Sequence, residues 1–165
     1  MTILGVDTSL RSTGFGIVRS EGTRMIAVEY GIIRNKPELP LSACLVRIGD
    51  RIRELIETHT PAAVAVEGVF LGRNTQTMMI LAHARGVVIE TAARAGVPVF
   101  EYPPRRVKSA VTGYGAAEKD QVQQMIRTLL ALSEKPQNDA ADALALAITH
   151  LHNRTGIQIG SDGPV

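Results

Sequence analysis

Four carboxylates occupy positions that are unusual for surface acids. Asp7 closes an apolar run at residues 3–6, and Glu67 closes another at 62–66. Asp139 and Asp142 are three apart at the start of a helical stretch, so they share one helix face. If the two apolar runs are adjacent parallel strands, Asp7 and Glu67 reach the same rim of a sheet. A helix packed across that rim adds Asp139 and Asp142. Clustered acids repel, and burial raises their pKa values. A hard cation relieves both problems, and oxygen-only ligands suit Mg²⁺. Two such ions about 4 Å apart clamp the attacking and leaving oxygens of a phosphodiester.

Each acid also has a plainer reading. Asp7 with Thr8 and Ser9 caps a turn. Glu67 before Gly68 is a solvated strand end. Asp139 and Asp142 fit a helix-capping pattern. The set is more specific than any member, because two strand ends and a helix face supply it.

A basic segment is the second signal. Pro103-Pro104-Arg105-Arg106-Val107-Lys108 and the seven residues after it carry three positive charges and no acid. Lys119 follows at an expected helix start, where backbone N–H groups favour phosphate. Arg73 and Asn74 lie in a loop after Glu67, just beyond Phe70. Other chemistries find less support. His59, His83, His150 and His152 show no metal-ligand spacing, and His150 and His152 face different ways on a helix. Gly14-Phe15-Gly16 lacks the third glycine and the following helix of a nucleotide fingerprint.

The elements that position these groups follow from periodicity. Residues 2–6, 14–18 and 25–33 read as strands, the last two as a hairpin across Ser20-Glu21-Gly22-Thr23. Leu45, Ile48, Ile52, Leu55 and Ile56 repeat at helical spacing within 41–58, and Pro61 ends that helix. A strand at 62–66, a helix at 75–95 stopped by Gly96, and a strand at 97–102 follow. A short basic helix, then helices at 118–132 and 139–153, complete the order. This predicts an α/β fold with a five-stranded mixed sheet and helices on both faces. Residues 1–153 form one domain, and 154–165 are expected to be a flexible tail. The first half of the 75–95 helix is uncharged and apolar all round. It therefore needs cover beyond its own sheet, from a partner helix in a dimer or from another helix of the chain.

Composition fits one domain: 165 residues, 45% apolar and 21% charged, with a net charge of +2. Fourteen of the 18 basic residues are Arg, the better side chain for bidentate phosphate contacts. Aromatics are only 4%, which argues against a single-strand binder built on stacking platforms. The lone Cys44 is read as core, cannot pair within the chain, and suits a reducing cytoplasm. No run suits a membrane span, and the N-terminus lacks the features of a signal peptide.

Gly5-Val6-Asp7-Thr8-Ser9 with Thr13-Gly14-Phe15-Gly16 resembles the first motif of the RuvC Holliday-junction resolvases, and Val66-Glu67-Gly68-Val69-Phe70 the second. Pro104-Arg105-Arg106-Val107-Lys108 and Ala117-Glu118-Lys119-Asp120-Gln121-Val122 resemble their central basic segments. Asp139-Ala140-Ala141-Asp142-Ala143-Leu144-Ala145, with Ile148-Thr149-His150, resembles the last motif. The match runs from about residue 2 to 152. The resemblance implies an RNase H-like fold, a homodimer, and paired symmetric nicking of four-way DNA junctions in recombination and repair. It implies Mg²⁺, two ions per site with Mn²⁺ as a substitute, and the branch-migration proteins RuvA and RuvB as partners. It maps the catalytic acids and metal ligands onto Asp7, Glu67, Asp139 and Asp142; the third position is Asp or His in the family and Asp here. Phe70 matches an aromatic that contacts bases near the crossover, and Lys108 and Lys119 match basic residues near the scissile phosphate. Gly68 departs from the larger polar residue often found there. Rival readings are a catalytically weak junction-binding scaffold, an RNase H-like nuclease for another substrate, and an actin-like ATPase, for which one lobe is too little chain.

Overall fold

Strand alternation decides where the acids point. The computed structural model describes residues 1–68, 75–153 and 157–159. In chain order these form β1 (Thr2–Asp7), β2 (Ser12–Glu21), β3 (Arg24–Arg34), α1 (Leu41–His59) and β4 (Ala63–Glu67). They continue with α2 (Thr75–Arg94), β5 (Val99–Tyr102), α3 (Pro104–Thr112), α4 (Lys119–Leu129), α5 (Asn138–Asn153) and β6 (Ile157–Ile159). The strand order is β3-β2-β1-β4-β5-β6. β4 runs parallel to β1 and β5, while β2, β3 and β6 pair antiparallel with their neighbours. This is the mixed sheet of an RNase H-like fold.

Successive strand side chains face opposite sides of the sheet. Ile3, Ala63, Ala65 and Tyr102 join a core with α3, α4 and α5. Leu4, Val6, Val64, Val66 and Val99 join a second core under α1 and α2. Asp7 keeps the parity of Ile3, and Glu67 that of Ala63 and Ala65. Both therefore belong to the α5 side. Val6 pairs with Val66, so the next residues, Asp7 and Glu67, end neighbouring parallel strands.

Helix α5 lies very close to the sheet because side chains are missing beneath it. A Cβ built on Gly5 would sit 1.9 Å from the Ala143 carbonyl oxygen, and one on Gly14 would sit 1.9 Å from that of Asp139. Only glycine permits this approach. The helix is apolar on almost every side, with Ala140, Ala141, Ala143, Leu144, Ala147 and Ile148 buried.

The five expected strands form, and two features differ from expectation. First, β6 adds a sixth strand, with Ile157 opposite Glu101 and Ile159 opposite Val99. β5 otherwise presents an unpaired edge, and Ile-Gln-Ile supplies matching backbone groups. The rest of 154–165 lies outside the described residues. Second, the elements of the β2–β3 hairpin are longer than periodicity indicated, because polar residues continue the ladder past the apolar centre. Cys44 is buried in α1, as expected. In the single chain Met79 and Leu81 of α2 remain 63% and 37% exposed, so cover for that face does not come from the described part of this chain.

Candidate active site

Asp7, Glu67 and Asp142 line one cavity of about 240 Å³, together with Lys108 and Lys119. Two strand ends supply the first two acids, and the first turns of α5 supply the third. Asp139 lies one turn before Asp142, where it accepts a hydrogen bond from the Ser12 hydroxyl. Asp142 accepts one from the Lys119 ammonium, Oδ2 to Nζ 3.0 Å. Each of these two acids therefore has a partner on another element.

The electrostatics record the crowding. Burial raises the Asp7 pKa to about 7, and the charges of Asp142, Glu67 and Asp139 push in the same direction. Glu67 is also raised, first by loss of solvent and then by Asp142. Burial alone would lower Lys119, but its bond to Asp142 and the charges of Asp142, Asp139 and Asp7 hold it above its ordinary value. Lys119 is thus an internal counter-charge to the acid cluster.

The basic helices are arranged for this role. On α3, Pro104, Val107 and Lys108 face the cavity at i, i+3 and i+4. Arg105 and Arg106 are outside its lining, and Arg105 is exposed. Lys119 is the first residue of α4, whose start is fixed by a capping box between Glu118 and Gln121. Phe70, Arg73 and Asn74 fall outside the described residues.

The donor set is entirely carboxylate oxygen, which fits a hard divalent cation. Among the described residues no three acids yet converge at coordinating distance. Asp139 is bonded to Ser12 and Asp142 to Lys119.

A family model described as crossover junction endodeoxyribonuclease RuvC matches residues 3–150. The chain belongs to the RuvC family. A RuvC from Syntrophomonas wolfei is 47% identical over 93% of this chain and 90% of its own length. One from Brevibacillus brevis is 46% identical over 96% of both. Thermus thermophilus RuvC, solved in complex with a Holliday junction substrate, superimposes with a TM-score of 0.92. It is 33% identical, with 96% of this chain and 99% of that one covered.

Within this RuvC chain, further residues surround the acids. Arg85 of α2, 8% exposed, donates to the main-chain carbonyl of Glu67 (2.5 Å) and to the Glu101 carboxylate (2.6 Å). A second cavity, of about 320 Å³, continues from Asp7 and Glu67 to Met78, Leu81 and Arg85. Behind the site, the buried Tyr102 hydroxyl and His150 Nδ1 are 2.8 Å apart, tying β5 to α5. The signal for Arg85 was present: it is the first permanent charge in a helix otherwise uncharged from its start. Ser12 offered no such signal.

Proposed function

We propose that Asp7, Glu67, Asp139 and Asp142 are the catalytic metal ligands with which this chain resolves Holliday junctions. The enzyme is a crossover junction endodeoxyribonuclease, hydrolysing phosphodiester bonds in four-way DNA. The observation that supports the assignment of residues is that Asp7, Glu67 and Asp142 line one cleft with Lys108 and Lys119, while Asp139, one helix turn away, lies near enough for its charge to act on Asp7.

Asp7 with Glu67 is suited to one Mg²⁺, and Asp7 with Asp139 or Asp142 to a second; Mn²⁺ fits the same oxygen donors. When bound, the ions supply electrostatic stabilisation of the phosphoryl group and activation of water. The residues of the chain do the rest. Asp7, half-buried and shared between both sides of the cluster, fixes the centre. Lys119 releases Asp142 and becomes available to a phosphate oxygen beside it. Lys108 faces the same cleft and neutralises the adjoining phosphate. Arg105 and Arg106, outside the cavity, suit backbone phosphates further along the arm. Phe70, Arg73 and Asn74 follow Glu67 in the chain and are assigned base and phosphate contacts near the crossover. Among the described residues that line the acid cleft none is Ser, Cys or Tyr, so this reading assigns water as the nucleophile.

Paired symmetric nicks require two sites related by a two-fold axis. The exposed Met79–Leu81 face of α2 suits a second copy, and we assign the active form as a homodimer. The nuclease domain spans residues 1–153. RuvA and RuvB are the branch-migration partners this reading expects, and the cytoplasm its compartment. No helix among the described residues is long and apolar enough to cross a membrane.

The test offers a synthetic mobile four-way junction and a matched linear duplex to the wild-type protein and to Asp7→Asn, with Mg²⁺ or with chelator. Paired nicks on the junction alone, with metal and wild-type protein alone, are expected. Junction binding without nicks under any metal would replace the reading with a binding scaffold. Equal action on duplex would move the search to RNA–DNA hybrids.

A further inference from the structure

The acid cleft has a basic flank on α3 and α4, and a second one on its other side. At the same rim as Asp7, the ends of β1, β2 and β3 and the start of α1 bring together Arg11, Arg34, Lys36 and Arg47. Ser12 pairs with Arg34 across the β2–β3 ladder, while the hydroxyl of Ser12 reaches Asp139. The Arg34 guanidinium donates to Gln137 Oε1 at 2.9 Å, two residues before Asp139. Arg47 Nε donates to Asn35 Oδ1 at 3.0 Å, and Asn35 is itself buried and anchored to the Leu10 carbonyl at 2.8 Å. Arg11 donates to the carbonyls of Lys36 (2.6 Å) and Leu39 (3.1 Å). The patch is therefore held by neutral acceptors.

Charge distribution shows what this arrangement leaves available. Among the described residues, none of Arg11, Arg34, Lys36 and Arg47 forms an ion pair with a carboxylate. Elsewhere the arginines Arg19, Arg53 and Arg94 are paired with Glu21, Asp50 and Glu90. Within the 35–40 connection Glu38 is the sole acid, against Lys36 in the same segment. Arg34 and Arg47 share a surface cleft with Asp50 and Glu54, but those acids are already paired with Arg53 and Arg51; a strip of cations without carboxylate partners, beginning beside Asp139, suits a polyanion that crosses the acid cleft.

We infer that Arg34, Lys36 and Arg47 form a second phosphate-tracking surface, which grips the DNA arm on the side of the cleft opposite Lys108 and Lys119. This rests on the resolvase reading, and it adds a binding surface outside the acid and α3–α4 site. DNA carries a charge about every 1.7 Å along its axis, so one flank cannot satisfy a duplex that continues past the cut. Phosphate contacts of this kind fix register and orientation without reading sequence.

The experiment measures junction binding in chelator against salt concentration, which separates it from cutting. It compares wild type, Arg34→Ala, Lys36→Ala, Arg47→Ala, the triple variant, and Arg24→Ala. Arg24 begins β3, about 30 Å from the rim along the strand, and makes the same charge change there. Each rim variant is expected to reduce the slope of log K on log salt by about one. For the triple variant, the loss of affinity between 50 and 200 mM salt shrinks by roughly 40-fold relative to wild type. Arg24→Ala keeps the wild-type slope. Arg34→Lys, which keeps the charge, restores the slope if the contact is to phosphate; unfolding is excluded by an unchanged thermal transition. A wild-type slope in the triple variant overturns the inference, as does equal loss in Arg24→Ala. Failure of the wild type to prefer a junction over duplex would instead count against the resolvase reading, and the slopes on duplex would still report on the surface.

Discussion

The guanidinium of Arg85 is bonded to the backbone carbonyl of Glu67 on one side and to the carboxylate of Glu101 on the other, 2.5 and 2.6 Å away. The end of β4 is thereby anchored to α2 and β5. Burial lowers the Arg85 pKa while the Glu101 charge and hydrogen bond support its ionised form. The arrangement holds the main chain of Glu67, leaving its side chain to the cleft.

Arg85→Ala should therefore impair cutting more than binding. We expect a cleavage rate lower by on the order of 10- to 100-fold, as for other displacements of about 1 Å at a reacting centre. Junction affinity in chelator should stay near wild type. Glu101→Gln, which keeps an acceptor for the guanidinium, should lose much less. Single-turnover cleavage and gel-shift binding on the same preparations check this; equal losses in both would assign Arg85 to general stability.

Asp7 sets a pH dependence for the metal-free protein. Its folded pKa is about 7 against an ordinary 3.8. Between those values the native state holds more protons than the unfolded one, so stability falls as pH rises from about 4 to 7. Asp7→Asn removes this contribution. In chelator at pH 8 the variant should melt a few degrees above wild type, at roughly 2–4 °C per kcal/mol for a chain of this size, and the advantage should vanish near pH 4. Thermal scans across that range decide it.

Gly14 is a structural counterpart of Asp139. A methyl group there would meet the Asp139 carbonyl. Gly14→Ala should cost about 1–3 kcal/mol or more from overpacking, and should abolish metal-dependent cutting by lifting the start of α5. Denaturant unfolding and the junction assay measure the two effects.

The α2 face predicts its own variants. Leu81→Glu and Met79→Glu place charges on a face that the described residues leave open, so the folded monomer should tolerate them. If the proposed homodimer forms through this face, sedimentation should show its dissociation, and a junction held in a cruciform plasmid should acquire single nicks in place of paired ones. A variant that stays dimeric would place the interface elsewhere.

Much of this architecture was legible from residue types. The apolar runs at β1 and β4 were continuous because both faces of those strands are covered, so their polar ends stood out as rim positions. The helical spacing of Asp139 and Asp142 put them on one face without any tertiary knowledge. What escaped reading depends on contacts between distant segments. Ser12 matters only because α5 returns over it 127 residues later. Arg85 reaches a backbone carbonyl, a group every residue has. The β6 pairing rests on three residues in a polar tail, too few for periodicity to register. Arg34, Lys36 and Arg47 carry no signal in the sequence, because the absence of acidic partners is a property of the folded surface.

Gly5 and Gly14 place the catalytic geometry under the control of atoms that are not there. Transplanting the four acids onto another strand–helix scaffold would reproduce the ligand list but not the seat of α5. A graft must carry the two bare backbone positions as well. Catalogues that score only reactive side chains would pass over both.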